Sequence, residues 1–126
     1  MDGVKIDRLE PVDPKDWRGP TREWKFPDGH QITVFERKKG TKFGMHYHKG
    51  EDPSKNPERF YLVRGCMKAT FTSRNSEERE EHVVEAGQMF EIHPNVYHAM
   101  EAIEDCVFIE YRVTHFDREK PDTYSV

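Results

Sequence analysis

The stretch Gly40-Thr41-Lys42-Phe43-Gly44-Met45-His46-Tyr47-His48 carries two histidines one residue apart, and Glu58-Arg59-Phe60-Tyr61-Leu62-Val63-Arg64-Gly65 follows after a polar interval. Both read as strands bounded by glycine, with aromatic and β-branched residues between the turns. On a strand, residues i and i+2 point to the same face, so His46 and His48 can reach one ion from one side. An HxH pair alone is weak evidence in a chain with seven histidines, and two exposed or core histidines are the bland alternative. A third stretch, Gly87-Gln88-Met89-Phe90-Glu91-Ile92-His93-Pro94-Asn95-Val96-Tyr97-His98, places a glycine turn, a strand, a proline turn and another histidine in order.

The rest of the chain repeats this rhythm. Strands are expected near 21-26, 31-37, 42-48, 58-64, 66-73, 80-86, 88-93, 97-102 and 106-114. They are divided by turn residues such as Pro27-Asp28-Gly29, Gly65, Gly87 and Pro94-Asn95. Met67, Ala69 and Phe71 alternate with Lys68, Thr70 and Thr72, and Val107, Ile109, Tyr111 and Val113 alternate with Phe108, Glu110 and Arg112. No segment holds a helical period beyond two turns. Residues 1-20 read as an irregular, proline-containing arm tacked to the body by Trp17 and Trp24. Residues 21-115 form the expected barrel, and 116-126 a polar tail that wraps the surface or frays. The run Glu77-Glu78-Arg79-Glu80-Glu81 reads as a solvated hairpin tip. Eight or nine short strands in a small chain point to a closed sandwich or barrel, since closure removes unpaired edges.

Composition bounds the alternatives. Of 126 residues, 34% are apolar and 35% charged, the mean hydropathy is -0.98, and Leu, Ile, Val and Phe together make only 25 positions. That fraction borders on disorder. The modest net charge of -4 and the 12% aromatic content argue for a folded, thin-walled β domain. A charge of -4 and a pI near 6.0 give no electrostatic basis for holding a phosphate backbone, so no nucleic acid is expected. Apolar runs are too short to span a membrane, and the N-terminus lacks a signal-peptide core. Cys66 and Cys106 form neither a CxxC motif nor a disulfide framework, which makes a reducing, cytoplasmic setting the expectation. Whether the two thiols meet in space is left open by the sequence.

Taken together, the three quoted stretches resemble the two motifs of the cupin superfamily, G-x5-H-x-H-x(3,4)-E-x6-G and G-x5-P-x-G-x2-H-x3-N. The likeness covers roughly residues 32-112 and is to the small single-domain cupins with one conserved barrel. It implies an all-β double-stranded β-helix, a jelly-roll barrel, with metal ligands at His46, His48, Glu58 and His98. The chain departs from the pattern in places. Residues Lys49 to Pro57 lengthen the step to Glu58, so Glu51 and Asp52 are rival ligands, with His48-x3-Asp52 matching the spacing literally. Glu58 is preferred because only it keeps the strand and the six-residue step to Gly65. In the second motif His93, Asn95 and Ala102 replace Pro, Gly and Asn. Asn tolerates the left-handed turn conformation that this glycine position calls for.

Three imidazoles and a carboxylate suit a divalent transition metal such as Fe, Mn, Ni, Cu or Zn rather than Ca or Mg. Such a centre leaves open positions for a small oxygenated substrate. The resemblance implies either dioxygenase or isomerase/epimerase chemistry on a sugar or keto acid. The competing reading is a non-catalytic module that binds or senses a small ligand, and a storage role is less well matched to a full ligand set. Phe60, Leu62 and Met100 share strand parity with the ligands and are expected to line the pocket. His93 is a weak candidate for a catalytic base or for support of a ligand, with a surface role as the alternative. Glu110 and Arg112 are of the polar kind that line such pockets, whereas parity puts Tyr97 and Glu101 opposite His98. His30, His82 and His115 read as surface residues. A homodimer is expected from family likeness alone.

Overall fold

In the computed structural model, which describes residues 1–125, the strands follow the turn punctuation closely. They are β1 (Thr21–Lys25), β2 (Gln31–Arg37), β3 (Lys42–His46), β4 (Glu58–Arg64), β5 (Cys66–Ser73), β6 (Arg79–Glu85), β7 (Met89–Ile92), β8 (Val96–Ala102) and β9 (Cys106–Arg112). Each lies within two residues of its expected bounds. Two antiparallel sheets result, one in the order β1-β2-β9-β4-β7 and one in the order β3-β8-β5-β6. Strands remote in sequence pair side by side, β2 with β9 and β5 with β8, which is the jelly-roll arrangement. The helical exception among the described residues is a single 3₁₀ turn at Pro53–Lys55. No helix among them is long and apolar enough to cross a membrane.

The interior changes character along the barrel axis. On β9 the inward residues run Cys106, Phe108, Glu110, Arg112; on β8 they run Ala102, Met100, His98; on β4, in the opposite sense, Glu58, Phe60, Leu62. One end is therefore apolar, centred on Leu62, Met67 and Ala69, all without exposed surface. Each large apolar side chain buried there contributes about 1.5–3 kcal/mol. Phe108 stacks with Phe35 at 4.7 Å and with Phe43 at 5.4 Å, and Phe60 with Phe90 at 5.0 Å. Large rings thus do the work that leucine does in most cores. The other end carries buried His98, Glu58, Glu110 and Arg112. On β9 the apolar partners Val107 and Ile109 are only half-buried and Tyr111 is exposed, so hydrophobicity there marks the outer face.

Residues 1-20 carry no strand or helix, and tryptophan does not hold them to the body. Trp17 is 72% exposed, and half-exposed Trp24 stacks on Phe26 at 4.6 Å. Backbone contacts do the holding: Glu36 N–H donates to Pro20 O and Lys38 N–H to Arg18 O, while the buried Arg37 guanidinium donates to Gly19 O. At Gly19 a Cβ would lie 2.2 Å from Glu36 O, so only glycine permits this approach. The charged run 77-81 divides between the turn after β5 and the start of β6, and its side chains are exposed. Cys66 and Cys106 are free thiols, with Cys106 Sγ donating to Cys66 O at 3.2 Å.

Candidate metal centre

Three elements bring the histidines together. His98 lies on β8 and turns inward with Met100, while its Nδ1 meets the Val96 carbonyl at 3.0 Å. His46 pairs directly with His98 across the β3–β8 ladder, but simple alternation from inward-facing Phe43 would turn His46 outward. A β-bulge reverses this. Gly44 pairs with Ala99 and His46 with His98, leaving Met45 as the extra residue. Gly44 (φ 77) and Met45 (φ 60) both occupy the left-handed region, and Met45 points to solvent. His48 lies beyond β3 and is buried, its Nδ1 2.7 Å from the Asp122 carbonyl oxygen. The HxH pair therefore converges through a bulge and a strand end rather than along one regular strand.

One ring nitrogen from each of His46, His48 and His98 lies within 4.8 Å of the others. Glu58, the first residue of β4, joins them: its Oε1 is 2.9 Å from His48 Nε2 and 3.4 Å from His98 Nε2. Glu51 and Asp52 lie elsewhere. Glu51 accepts from the Tyr124 hydroxyl, and Asp52 caps the 3₁₀ turn by accepting from Ser54 N–H. In a neutral imidazole whose Nδ1–H donates to a carbonyl, the other nitrogen carries a lone pair. His48 Nε2 and Glu58 Oε1 are both buried and 2.9 Å apart with no other hydrogen-bond partner, so with a neutral His48 ring two electron-rich atoms face each other in the interior. Two facing acceptors are costly unless a cation lies between them, and the donor set suits a divalent transition ion.

Burial favours the neutral, metal-binding form of two of the rings, His46 and His98. Burial, reinforced by repulsion from His98 and His48, pushes the His46 imidazole down to about 3, and burial likewise lowers His98. Burial and the neighbouring Glu58 carboxylate raise Glu110 well above the usual carboxyl range. Arg112 grips Glu110 Oε1 at 2.5 Å and also donates to Ser54 Oγ at 3.2 Å.

The cluster opens into a cavity of about 360 Å³. Phe60, Met100, Glu110 and Arg112 line it, whereas Leu62 lies deeper, within the apolar end. Cationic Arg18, Arg37, Lys55, Arg112 and Arg118 outnumber the acidic Glu23, Glu58 and Glu110 on its walls. His93 is exposed, 3.6 Å from Glu91, and lines a separate surface groove between β6 and β7. Tyr97 and Glu101 border another surface depression, on the face opposite the cluster. His82 and His115 are exposed, and the half-buried His30 contacts the Tyr111 hydroxyl. The tail does more than wrap the surface: Phe116 and Arg118 form part of the cavity wall, and Asp122 supports His48. Asn95 has φ 64, as expected of that turn.

No protein-family model matches the sequence, and no curated protein matches it. Solved structures do. The capsular polysaccharide assembling protein CapF from Staphylococcus aureus superposes with a TM-score of 0.80 at 28% identity, over 96% of this chain and 33% of that one. CapF bound to the inhibitor 3-isopropenyl-tropolone gives 0.77 at 29% identity, over 94% of this chain and 34% of that one. A variant oxalate decarboxylase from Bacillus subtilis gives 0.72 at 16% identity, covering 98% of this chain and 34% of that one, a likeness of fold alone. The chain thus spans about one third of the length of these proteins, both of which are cupin-fold proteins. With the all-β jelly roll, the two motifs and the histidine cluster in one barrel, the chain belongs to the cupin superfamily.

Proposed function

We propose that the chain is a metal-dependent cupin that moves a proton on the carbon beside a carbonyl, the chemistry of an isomerase or epimerase, on a small keto sugar or keto acid. The observation that carries this reading is the orphaned pair His48 Nε2 and Glu58 Oε1 at the floor of a cationic cavity. His46, His48, His98 and Glu58 would hold a first-row divalent ion there. When bound, such an ion polarises a substrate carbonyl as a Lewis acid. Arg112, fixed by Glu110 and Ser54, presents positive charge toward substrate oxygens, and Phe60 and Met100 keep that wall dry. The likeness to CapF, named for polysaccharide assembly, favours a sugar over an oxygenase substrate. Its tropolone inhibitor carries a carbonyl and a hydroxyl on adjacent carbons, the arrangement of an O,O chelator.

Metal-loaded protein is incubated in D₂O with a panel of keto sugars, keto acids and diketones, with NMR reading deuterium at the carbon next to the carbonyl and an electrode reading oxygen. Deuterium wash-in that is lost in His98→Ala and kept in His93→Ala is expected. Oxygen uptake without exchange would replace this chemistry with dioxygenation. Thermal shifts by a ligand without either signal would favour a binding module.

A second copy of this chain is the partner we infer. Tyr61, Val63, Met89 and Tyr111 are each at least two-fifths exposed on the outer face of the five-stranded sheet. Tyr61 pairs directly with Met89 and with half-buried Ile109, so the apolar surface is continuous. Contiguous exposed apolar surface is the kind of feature that interfaces use, and it supports this reading.

A further inference from the structure

We propose that Asp122, in the tail after β9, is a positioning residue for the metal centre: its carbonyl aims His48 while its carboxylate anchors the loop between His48 and Glu58. The inference rests on the metal reading above. Asp122 is 8% exposed and holds the left-handed conformation, φ 46. In that conformation both of its polar groups face the same loop. The carbonyl accepts from His48 Nδ1 at 2.7 Å. The carboxylate accepts from four consecutive backbone amides: Lys49 N on Oδ1 at 3.0 Å, and Gly50 N, Glu51 N and Asp52 N on Oδ2 at 3.1, 2.8 and 3.0 Å. Successive amides turned toward one point make an anion-binding concavity, and here the protein fills it with its own side chain. Burial raises the Asp122 carboxyl, but the four amides more than offset this, and the group lies below its usual range.

The surrounding contacts keep the tail in register. Tyr47 and Tyr124 exchange two backbone hydrogen bonds at 2.9 and 3.0 Å. Lys55 Nζ donates to Pro121 O at 2.6 Å and to Thr123 Oγ1 at 2.9 Å. The clamp therefore grips the polar stretch 49-57 that separates His48 from Glu58. A Nδ1–H···O=C bond sets the ring so that Nε2 offers its lone pair to a metal, and losing such support typically weakens binding 10- to 100-fold.

The test uses Co(II) as probe, titrated against a chelating indicator, together with ¹⁵N NMR of the His48 ring in metal-free protein. Asp122→Ala is expected to lower Co(II) affinity roughly 10- to 100-fold and to depopulate the Nδ1–H form. Added acetate, which can enter the emptied concavity, restores part of that affinity and leaves wild type unchanged. Asp122→Asn weakens binding too, because both carboxylate oxygens accept from amides and the NH₂ that replaces one of them meets at least one amide donor, and acetate does not rescue it since the side chain fills the space. Glu119→Ala, on the exposed tail, binds as wild type does. A folded Asp122→Ala with wild-type affinity and an unchanged His48 tautomer overturns the assignment. Should that variant fail to fold, Asp122→Asn is judged by the same two readouts. Wild type that binds no Co(II) defeats the metal reading, and the His48 tautomer in wild type against Asp122→Asn still decides the positioning role.

Discussion

Gly44→Ala tests the bulge that turns His46 inward. At φ 77 the backbone lies where a side chain costs roughly 1–2 kcal/mol. A Cβ would also lie 3.0 Å from the His98 carbonyl oxygen and 3.1 Å from Met100 Cε. The methionine end can swing aside, but the carbonyl belongs to the β8 backbone, so β3 must draw back from β8 by a few tenths of an ångström. The combined cost is about 2–3 kcal/mol, and at roughly 3–5 °C per kcal/mol for a chain of this length the melting temperature should fall by about 6–15 °C. The retreat occurs where His46 and His98 pair, so the two ligands separate as stability falls. A tenfold weaker metal affinity removes about 1.4 kcal/mol of metal-induced stabilisation at saturating metal. Urea unfolding with and without Co(II) measures both quantities. Met45→Gly is the matched control. It relieves left-handed strain at a solvent-facing residue and gives up part of that gain to unfolded-state entropy, so it should be neutral or up to about 1 kcal/mol more stable. If Gly44→Ala keeps wild-type stability and full metal response, the bulge does not depend on positive φ and the reasoning fails.

Two further expectations concern other parts of the molecule. The Asp16 carboxyl is held down to about 2, chiefly by its hydrogen bonds from the Arg18 side chain. A depressed folded-state pKa gives stability that is present above the unfolded value of 3.8 and lost as pH falls through 2. Wild type should therefore lose stability more steeply than Asp16→Asn between pH 4 and pH 2, as followed by thermal unfolding, and parallel curves would refute the assignment. Tyr61→Glu places a charge at the centre of the exposed apolar sheet face and should convert a dimer to a monomer in analytical ultracentrifugation. A monomeric wild type would remove the inferred partner.

Strands were legible in the sequence because their signals are local: glycine and asparagine at turns, and alternation within each run. Parity and motif spacing single out Phe60, Met100 and the four candidate ligands, whose side chains line one cavity, and Glu58 keeps the strand-to-Gly65 step that separates it from Glu51 and Asp52. Other features left no such mark. The bulge adds one residue that composition cannot flag; its trace is Gly44 just before the histidine pair, a position where a left-handed backbone is cheap. The tail was opaque for a different reason. Its contacts with the site run through the Asp122 carbonyl and backbone amides, and backbone groups are the same at every position. Trp17 misled because size alone suggested burial, yet the arm is held by main-chain hydrogen bonds and by the close approach at Gly19.

The low apolar content and the site are two views of one axial gradient. A barrel of this girth has few inward positions per strand, and on β4, β8 and β9 those at one end are His98, Glu58, Glu110 and Arg112. Every such position withdrawn from the core is an apolar side chain the sequence does not carry, so a small share of Leu, Ile, Val and Phe follows from geometry rather than from weak folding. The apolar end can then be closed by fewer, larger groups, which is why Phe108 stacks with both Phe35 and Phe43. Buried charges add little net stability and are expensive when a partner is lost. The polar end is held by the pairing of Arg112 with Glu110 and Ser54, and a cation between His48 and Glu58 would add to it. A ligand bound only by the folded state adds its binding energy to folding. Stability in this barrel is thus divided by position, with aromatic packing at one end and buried ionic and hydrogen-bonded pairing, to which a bound cation would contribute, at the other.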